Sequence, residues 1–510
     1  MNYQATVTKT VALQKLGRTQ QALAFLDEQL KYQPLSYALH YQRFALTGQE
    51  KDKSVYLQLM NGRDVNVIHL ANLYLSLGEI ETVRNILALC ESKGAMVSYY
   101  SAYVEGDFCA LGHAAEKAFI DQVLFPNTVT EIEVLKAFRE DYFANYLLGC
   151  FHYAKKVYAL AVKHWDVCME LNEAFAPVYR NMAVYSFNIA SKHQQALELM
   201  TQAFERNSED ARVLFELDYI KRELGESPKA RLAFLKRYEH LTLKRDDLVA
   251  EYLNLLNICG ELEECKHILS TRKFHPWEGG EGKITSQFII NQIRCAMDCI
   301  NQGDYSQAAE LLRQALQYPS NLGEGRLVGQ TDNDIHFLLA LCYRLEENDA
   351  LADYHFAKAK KGKQEIGESK YYNDQPADYL LYQALSMHYT GETAEAQELL
   401  NSMIRWAEEN AENPVAPDFF AVSLPDLVVF DKDPNRQNQQ HCLFVKGIAE
   451  AGLSVVNLGE KLNSGSLSQL LAKQPEHAKG KLCEAVLNTL IQLNEISEAK
   501  VTDRVCHPFL

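Results

Sequence analysis

The sequence has no apolar run of the roughly 18 to 20 residues that a membrane-spanning helix needs. Its first ten residues, MNYQATVTKT, also lack the apolar core of a secretory signal peptide. Both absences argue against a helical membrane protein, and they make the cytoplasm the expected location of this chain.

Basic residues are also fewer than acidic residues. The chain has 51 Lys and Arg and 67 Asp and Glu, which gives a formal net charge of −16. Acidic and basic residues are interspersed along the chain, and the basic residues form no continuous stripe. Such a chain repels a phosphate backbone. Nucleic acid and anionic membranes are therefore poor predictions for a partner.

The usual motifs of catalysis and metal binding are missing as well: there is no HExxH, no GxSxG and no CxxC pair. The segment GGEGKIT at 279–285 fails as a phosphate-binding loop, because Trp277 stands where a Gly is needed and Ile284 where a Ser or Thr is needed. Cys295 and Cys299 lack a second pair of metal ligands nearby, so we interpret them as buried thiols. The sequence predicts no metal, no cofactor and no complete catalytic site in this chain alone.

What the sequence does contain is an internal repeat. Gly303 is followed by Tyr305, Ala308, Leu312 and Ala315, and then by a proline. This spacing is typical of the tetratricopeptide repeat, a helix–turn–helix unit of about 34 residues. The small alanines let the two helices approach closely, and the glycine takes the tight turn between them.

The same register recurs along the chain. Its markers are Gly17, Ala22 and Pro34; Gly78 and Leu87; Tyr158, Ala161 and Trp165; Ala196 and Phe204; Gly225, Ala230 and Phe234; and Gly260 and Leu269. Beyond Gly260, the turn positions Gly303, Glu347 and Gly391 follow at longer steps, about ten residues more than one repeat. The sequence therefore predicts an all-α fold: a right-handed α-solenoid of tetratricopeptide-like repeats with long loops between repeats.

Differences in regularity divide the chain into four predicted regions. Residues 1–140 form divergent tetratricopeptide-like helices, 141–271 regular repeats, 272–453 repeats with inserted loops, and 454–510 capping helices. A short extended piece within 419–430 is the one candidate for β-structure.

Four insertions make the third region unusual. They cover 274–283, 318–334, 369–378 and 416–441, each after the second helix of one unit and before the first helix of the next. Equivalent loops of a solenoid lie along one edge. We therefore expect the four insertions to meet in space and to form one pocket or ridge with Trp277 at its centre.

The insertions carry four motifs: HPWEGGEGK, YPSNLGEGRLVG with DNDIHF, YYNDQPADYLLYQAL, and DFFAVSLPDLVVFD with QHC. Over residues 140–455 these motifs resemble, in order, the C-terminal half of a bacterial tetratricopeptide-repeat family known by its domain of unknown function 5107. In that family the repeats usually follow a β-sandwich that resembles galactose mutarotase and carbohydrate-active enzymes. Because this chain has no such β-rich segment, the resemblance implies the C-terminal part of a longer architecture, as a truncated gene product or a fragment. It implies a carbohydrate context, but no reaction.

The insertions offer carboxylates, amides and an indole ring, groups that suit a polar ligand such as a sugar. The candidate ligand-binding residues are His275, Trp277, Glu278, Glu281, Asn321, Glu324, Arg326, Asn373, Asp374, Gln375, Asp418 and Asp426. Glu278 and Asp418 could serve glycoside hydrolysis if they lay about 5 to 10 Å apart, and His275, His336 and His441 could act as acid or base. The competing interpretation is that these residues only shape tight loops and anchor them to the helices.

Three functional hypotheses follow. The first is an interaction scaffold that docks a protein partner, most simply the missing β-sandwich, through its loop edge or concave face. The alternative is a carbohydrate-binding or carbohydrate-processing accessory module whose loop residues complete a sugar site. A peptide-binding repeat protein ranks third, because it predicts Lys, Arg and Asn on first helices, whereas the unusual residues lie in the loops.

Overall fold

The computed structural model describes residues 2–91, 93–277, 279–366, 374–415, 429–457, 462–463 and 465–506. Within these ranges all regular secondary structure is helical, with 27 α-helices, one 3-10 helix and no strand, so the prediction of an all-α fold is confirmed. None of the described helices is long and apolar enough to cross a membrane. The chain divides into two compact units, Met1–Met182 and Ala183–Leu510. The four regions drawn from the sequence stay a prediction.

The first unit consists of paired helices. Its helices are α1 (Tyr3–Lys15), α2 (Thr19–Tyr32), α3 (Tyr37–Thr47), α4 (Glu50–Met60), α5 (Asp64–Ser76), α6 (Ile80–Ala88), α7 (Ala95–Glu105), α8 (Gly112–Asp121), α9 (Val129–Lys136), α10 (Tyr142–Ala154) and α11 (Tyr158–Leu171). The pairs α1–α2, α3–α4, α5–α6, α7–α8 and α10–α11 pack directly together. Helix α12 (Ala176–Asn188) crosses the boundary between the units.

The second unit continues the pairs. Its helices are α13 (His193–Arg206), α14 (Ala211–Glu223), α15 (Pro228–Arg237), α16 (Glu239–Thr242), α17 (Asp246–Cys259), α18 (Leu262–Thr271), α19 (Lys283–Asn301), α20 (Tyr305–Ala315), α21 (Asn333–Leu345), α22 (Asp349–Ala359), α23 (Asp378–Tyr389), α24 (Thr393–Asn410), α25 (Pro434–Val456), α26 (Gly465–Lys473) and α27 (Ala478–Cys506). A 3-10 helix, Ser320–Leu322, lies in the second insertion.

The predicted turn positions have the backbone conformation that the repeat requires. Gly303 and Gly391 have φ of +81° and +90°, and Glu347 holds the same left-handed region at +60° although it has a β-carbon. The next residue caps the following helix: Asp304 accepts a hydrogen bond from the backbone of α20 at 3.0 Å, and Asn348 accepts one from α22 at 3.3 Å. The turn register read from the sequence is therefore confirmed.

Five residues after the turn, a small side chain is fully buried between paired helices. This holds for Ala22, Ala161, Ala196, Ala308, Ala352 and Ala396. Ala230 is the exception, because it is exposed and Arg231 is buried instead. Helix α15 begins three residues after Gly225, whereas α20 begins two residues after Gly303, so the buried position moves by one. The Arg231 guanidinium then pairs with both oxygens of Asp218, at 3.0 and 2.6 Å.

Helix α27 packs along the array, against α17, α19 and α25. Each of these three helices is the first helix of its pair. Leu482, Val486 and Leu490 of α27 are buried in the same core as residues of α19 and α25, and the Thr489 hydroxyl donates to the Asn301 amide oxygen at 3.1 Å. The face that the first helices share in this part of the unit is therefore covered by the chain itself.

Candidate functional site

Three of the four insertions meet around one cavity of about 920 Å³. The first insertion contributes Glu281 and Gly282. The second contributes Tyr318, residues 324–325 and 327–331, and Asp334, and the third contributes residues 374–376 and Asp378. A cavity of this size can enclose a small organic molecule. For these three insertions, the prediction that the loops of stacked repeats lie together is confirmed.

Glu324 joins the first two insertions. The backbone N–H of Gly282, just before α19, donates to both carboxylate oxygens of Glu324, at 3.2 and 2.9 Å. A carboxylate at the N-terminal end of a helix is stabilised by the unpaired N–H groups there. Burial raises the pKa of Glu324, and the hydrogen bonds from Gly282 oppose that rise. Glu324 thus shapes the cavity as well as lining it.

Asn321 fixes the start of the first insertion from outside the cavity. Its side-chain amide donates to the carbonyl oxygens of Leu269 and Arg272, at 2.8 and 2.7 Å, and its own carbonyl accepts from Phe274 at 2.8 Å. These bonds satisfy carbonyl groups at the end of α18. The structure therefore favours the interpretation of Asn321 as a loop anchor.

Gln375 anchors the third insertion in a similar way but also lines the cavity. Its side-chain oxygen accepts from the backbone N–H of Lys363 at 2.9 Å, and its side-chain nitrogen donates to the Lys363 carbonyl at 2.8 Å. Gly362 has φ of +117°, and a β-carbon there would lie 2.5 Å from the Gln375 side chain. The neighbouring Asp374 lines the cavity too.

Asp334, Asp378 and Lys479 line the cavity, and sequence reasoning did not select them. The Lys479 ammonium donates to both oxygens of Asp378, at 2.7 and 3.0 Å. Asp334 and Asp378 are almost fully buried, with 5% and 3% of their surface exposed. Each aspartate is the last residue of its insertion, which is the sequence signal that could have found both. Lys479 gives no such signal, because it comes from α27, 101 residues after Asp378.

The charges of these three residues influence one another. Burial, and then the negative charge of Asp378, raise the pKa of Asp334 to about 6. Burial lowers the pKa of Lys479, but the carboxylates of Asp378 and Asp334 outweigh burial and leave that pKa above its ordinary value. A carboxyl group that titrates near neutral pH inside a cavity is typical of functional sites.

The cavity as a whole is acidic. Carboxylates lie at Glu281, Glu324, Asp334, Asp374 and Asp378, against the ammonium groups of Lys363 and Lys479. The wall also includes Tyr318, Gln330 and Thr331, which carry hydroxyl or amide groups, and the apolar residues Ile289 and Leu482. Such a wall repels anions and accepts hydrogen bonds from hydroxyl or ammonium groups. The described residues include no group of three or more His, Cys, Asp or Glu placed to hold a metal ion.

Trp277 is not at the centre of this cavity, and that prediction is wrong. The indole is half-buried and lies over the backbone of Gly280 within its own insertion. A β-carbon on Gly280 would approach the ring to 2.0 Å, so glycine is needed there. The ring stabilises the first insertion and does not line the space where a ligand would lie.

His275 and Arg326 also lie outside the cavity lining. The backbone N–H of His275 donates to Asp246 at 2.8 Å, while its side chain is exposed. Arg326 forms an ion pair with Asp332 and donates to the carbonyl oxygen of Gln330 at 3.1 Å. Both contacts fix the path of an insertion.

The two other candidate histidines are part of the helix packing. The His336 ring bonds to the His355 ring at 3.1 Å, and burial lowers the pKa of His336 to about 4. The His441 ring packs edge-on against Trp406, with ring centres 5.9 Å apart. Neither histidine lines the cavity.

Four candidates, Glu278, Asn373, Asp418 and Asp426, lie outside the described residues. The carboxylate pair of Glu278 and Asp418 therefore stays a prediction, as does most of the extended piece within 419–430. The described end of the fourth insertion does not line the cavity; Phe430 packs instead against Phe187 and Tyr219.

No family model matches the chain. Among solved structures, the chain is similar to the tetratricopeptide domain of P58(IPK), with 13% identity over 87% of this chain and 98% of that chain, at a TM-score of 0.23. It is also similar to the Cut9–Hcn1 hetero-tetramer of the APC/C, with 12% identity over 95% of this chain and 90% of that chain, again at a TM-score of 0.23. Both similarities are too weak to extend any property of those proteins to this chain.

Proposed function

We propose that this chain is a helical-repeat scaffold whose insertions bind a small polyhydroxylated ligand, neutral or cationic, of the sugar class. The observation that carries the proposal is the single cavity lined by three insertions that are far apart in sequence. Loops longer than a connection needs tend to serve a function. Here each of the three supplies at least one carboxylate or amide to the same space.

The chemistry of the wall favours hydroxyl groups as the ligand's contacts. Ionised carboxylates only accept hydrogen bonds, and a sugar ring offers several donors at once. Ile289, Leu327 and Leu482 supply apolar surface for the carbon face of such a ring. The resemblance to the family of domain of unknown function 5107 adds the carbohydrate context and a bacterial origin to the proposal. The cytoplasmic location expected from the sequence is part of the same proposal.

Binding of a sugar is measurable directly by isothermal titration of the chain with glucose, galactose and glucosamine. We expect at least one of the three to bind, and Asp374→Asn and Glu281→Gln to weaken that binding about tenfold or more, since each loses a hydrogen bond to a charged acceptor. Asp353→Asn is the matched control, because Asp353 is exposed on α22 and outside the cavity. No binding by any sugar, or equal affinity in all variants, would contradict the proposal.

Docking of a protein partner is the second candidate, and one observation favours the loop edge for it. Helix α27 covers the face of α17, α19 and α25, so a partner has less access to the first helices there. At the cavity, the side chain of Val328 is completely exposed and Leu327 is partly exposed. Apolar side chains at a polar rim are typical of contact sites for another protein.

A further inference from the structure

Residues 429–431 of the fourth insertion, just before α25, lie against helices that are more than 200 residues away in sequence. Val429, Phe430 and Asp431 contact the end of α12 and the middle of α14. We infer that Phe187, Asn188 and Tyr219 form a binding site for a short peptide segment with a central aromatic residue. In this chain, residues 429–431 occupy that site.

Asn188 binds the backbone of the segment from both sides of Phe430. Its side-chain nitrogen donates to the carbonyl oxygen of Val429 at 2.7 Å, and its side-chain oxygen accepts from the N–H of Asp431 at 3.1 Å. One carboxamide thus pairs with a backbone acceptor and a backbone donor. This contact requires no particular side chain at positions 429 or 431, so it could hold any peptide of the same backbone path.

Phe430 supplies the specificity. Its ring is 3% exposed and stacks on Tyr219, with ring centres 4.8 Å apart and planes 10° apart. Phe187 closes the other side at 4.8 Å and 60°. Because an aromatic ring fills a space bounded by two other rings, a peptide with an aliphatic or polar residue here loses both ring contacts.

The walls of this site have supports of their own. Phe187 stacks on His193 with ring centres 4.4 Å apart, and the Arg222 guanidinium lies 4.6 Å from the centre of the Tyr219 ring. Both supports belong to the helix pairs and do not involve the segment. Both rings therefore have packing partners that do not depend on residues 429–431.

The place of the site in the repeats also favours a peptide. Helices α12 and α14 are the first helices of consecutive pairs, the elements whose shared face binds peptides in helical-repeat proteins. Further along the unit, α27 covers this face. At α12 and α14, three residues of a connecting segment cover it instead. Because residues 429–431 belong to the same chain as the site, their effective concentration at it is high, on the order of millimolar. It therefore competes with any peptide from another protein.

The test uses the full chain and a fluorescein-labelled peptide with the sequence of residues 427–433. In the Phe430→Ala variant the internal competitor loses its ring, so we expect the peptide to bind at least about tenfold more tightly than to the unchanged chain. Adding Asn188→Ala to that variant removes the binding. A peptide with alanine in place of its phenylalanine is the control and does not bind.

Circular dichroism and the melting temperature establish that each variant is folded. If Phe430→Ala does not fold, Phe430→Leu keeps an apolar side chain while losing the ring contacts, and about threefold tighter peptide binding is expected from it. The inference is overturned if a folded variant binds the peptide no better than the unchanged chain. It is also overturned if Asn188→Ala leaves the binding intact, since the peptide then binds at another place on the chain.

Discussion

Asp334 combines near-complete burial with a neighbouring negative charge, and its pKa is raised from the ordinary 3.8 to about 6. A raised pKa means that the folded chain binds this proton more tightly than the unfolded chain. Asp334 therefore contributes stability that is fully present below pH 3.8 and is lost as the pH rises through 6. Above that pH the ionised side chain destabilises the fold.

Asp334→Asn removes this pH dependence. At pH 7.5 we expect the variant to be more stable by up to about 3 kcal/mol, from a shift of about two pKa units, and at pH 4 most of this difference should be gone. Urea denaturation at both pH values measures it. Asp353→Asn is the control, because its surface ion pair with Arg344 is worth only about 0 to 1 kcal/mol. An equal effect of Asp334→Asn at both pH values would show that the carboxyl group titrates normally.

Glu347 is one of the non-glycine residues with a left-handed backbone conformation. At φ of +60° it occupies a turn position that Gly303 and Gly391 fill elsewhere. Because a β-carbon disfavours this region, Glu347→Gly should raise the free energy of unfolding by about 0.5 to 1 kcal/mol. Gly303→Ala is the reciprocal test and should lower it by about 1 kcal/mol, since no atom lies within 4 Å of the new β-carbon and only the backbone is strained. Thermal denaturation measures both changes in stability. A Glu347→Gly chain less stable than the unchanged chain would contradict the prediction that the β-carbon of Glu347 strains the turn.

At the scale of elements, the helix pairs depend on small residues at their contact. Ala308 of α20 is fully buried, so Ala308→Leu should overpack the pair and cost about 1 to 3 kcal/mol. Ala230 of α15 occupies the equivalent sequence position but is exposed, and Ala230→Leu should be nearly neutral. Chemical denaturation of both variants compares them. Equal losses would mean that the register shift at α15 is absent in solution.

The same contrast shows what the sequence could predict. The spacing of Gly303 and Ala308 reports contacts between neighbours in the chain, so the repeat, its turns and the meeting of three insertions followed from it. The shift at Arg231 did not, because it depends on one extra residue before α15. Lys479 and Phe430 reach partners 101 or more residues away. Periodicity carries no information about such long-range contacts.

At the scale of the second unit, α27 covers one surface of the helix array and three insertions surround the cavity. Helix α27 covers the face of α17, α19 and α25, and it also places Lys479 in the cavity wall. The cavity therefore depends on α27 as well as on the three insertions. Candidate residues such as Trp277 and Asn321 hold the loops in place, while the charged wall is built by Glu281, Glu324, Asp334, Asp374 and Asp378.

The central claim is that one ligand contacts all three insertions at once. Hydrogen–deuterium exchange of the full chain, with and without a saturating monosaccharide that binds in the titration, tests it most directly. We predict slower exchange in residues 281–286, 324–331 and 374–379 together, and unchanged exchange at 429–433. Slower exchange in only one of the three insertions, or none in any of them, would contradict the claim.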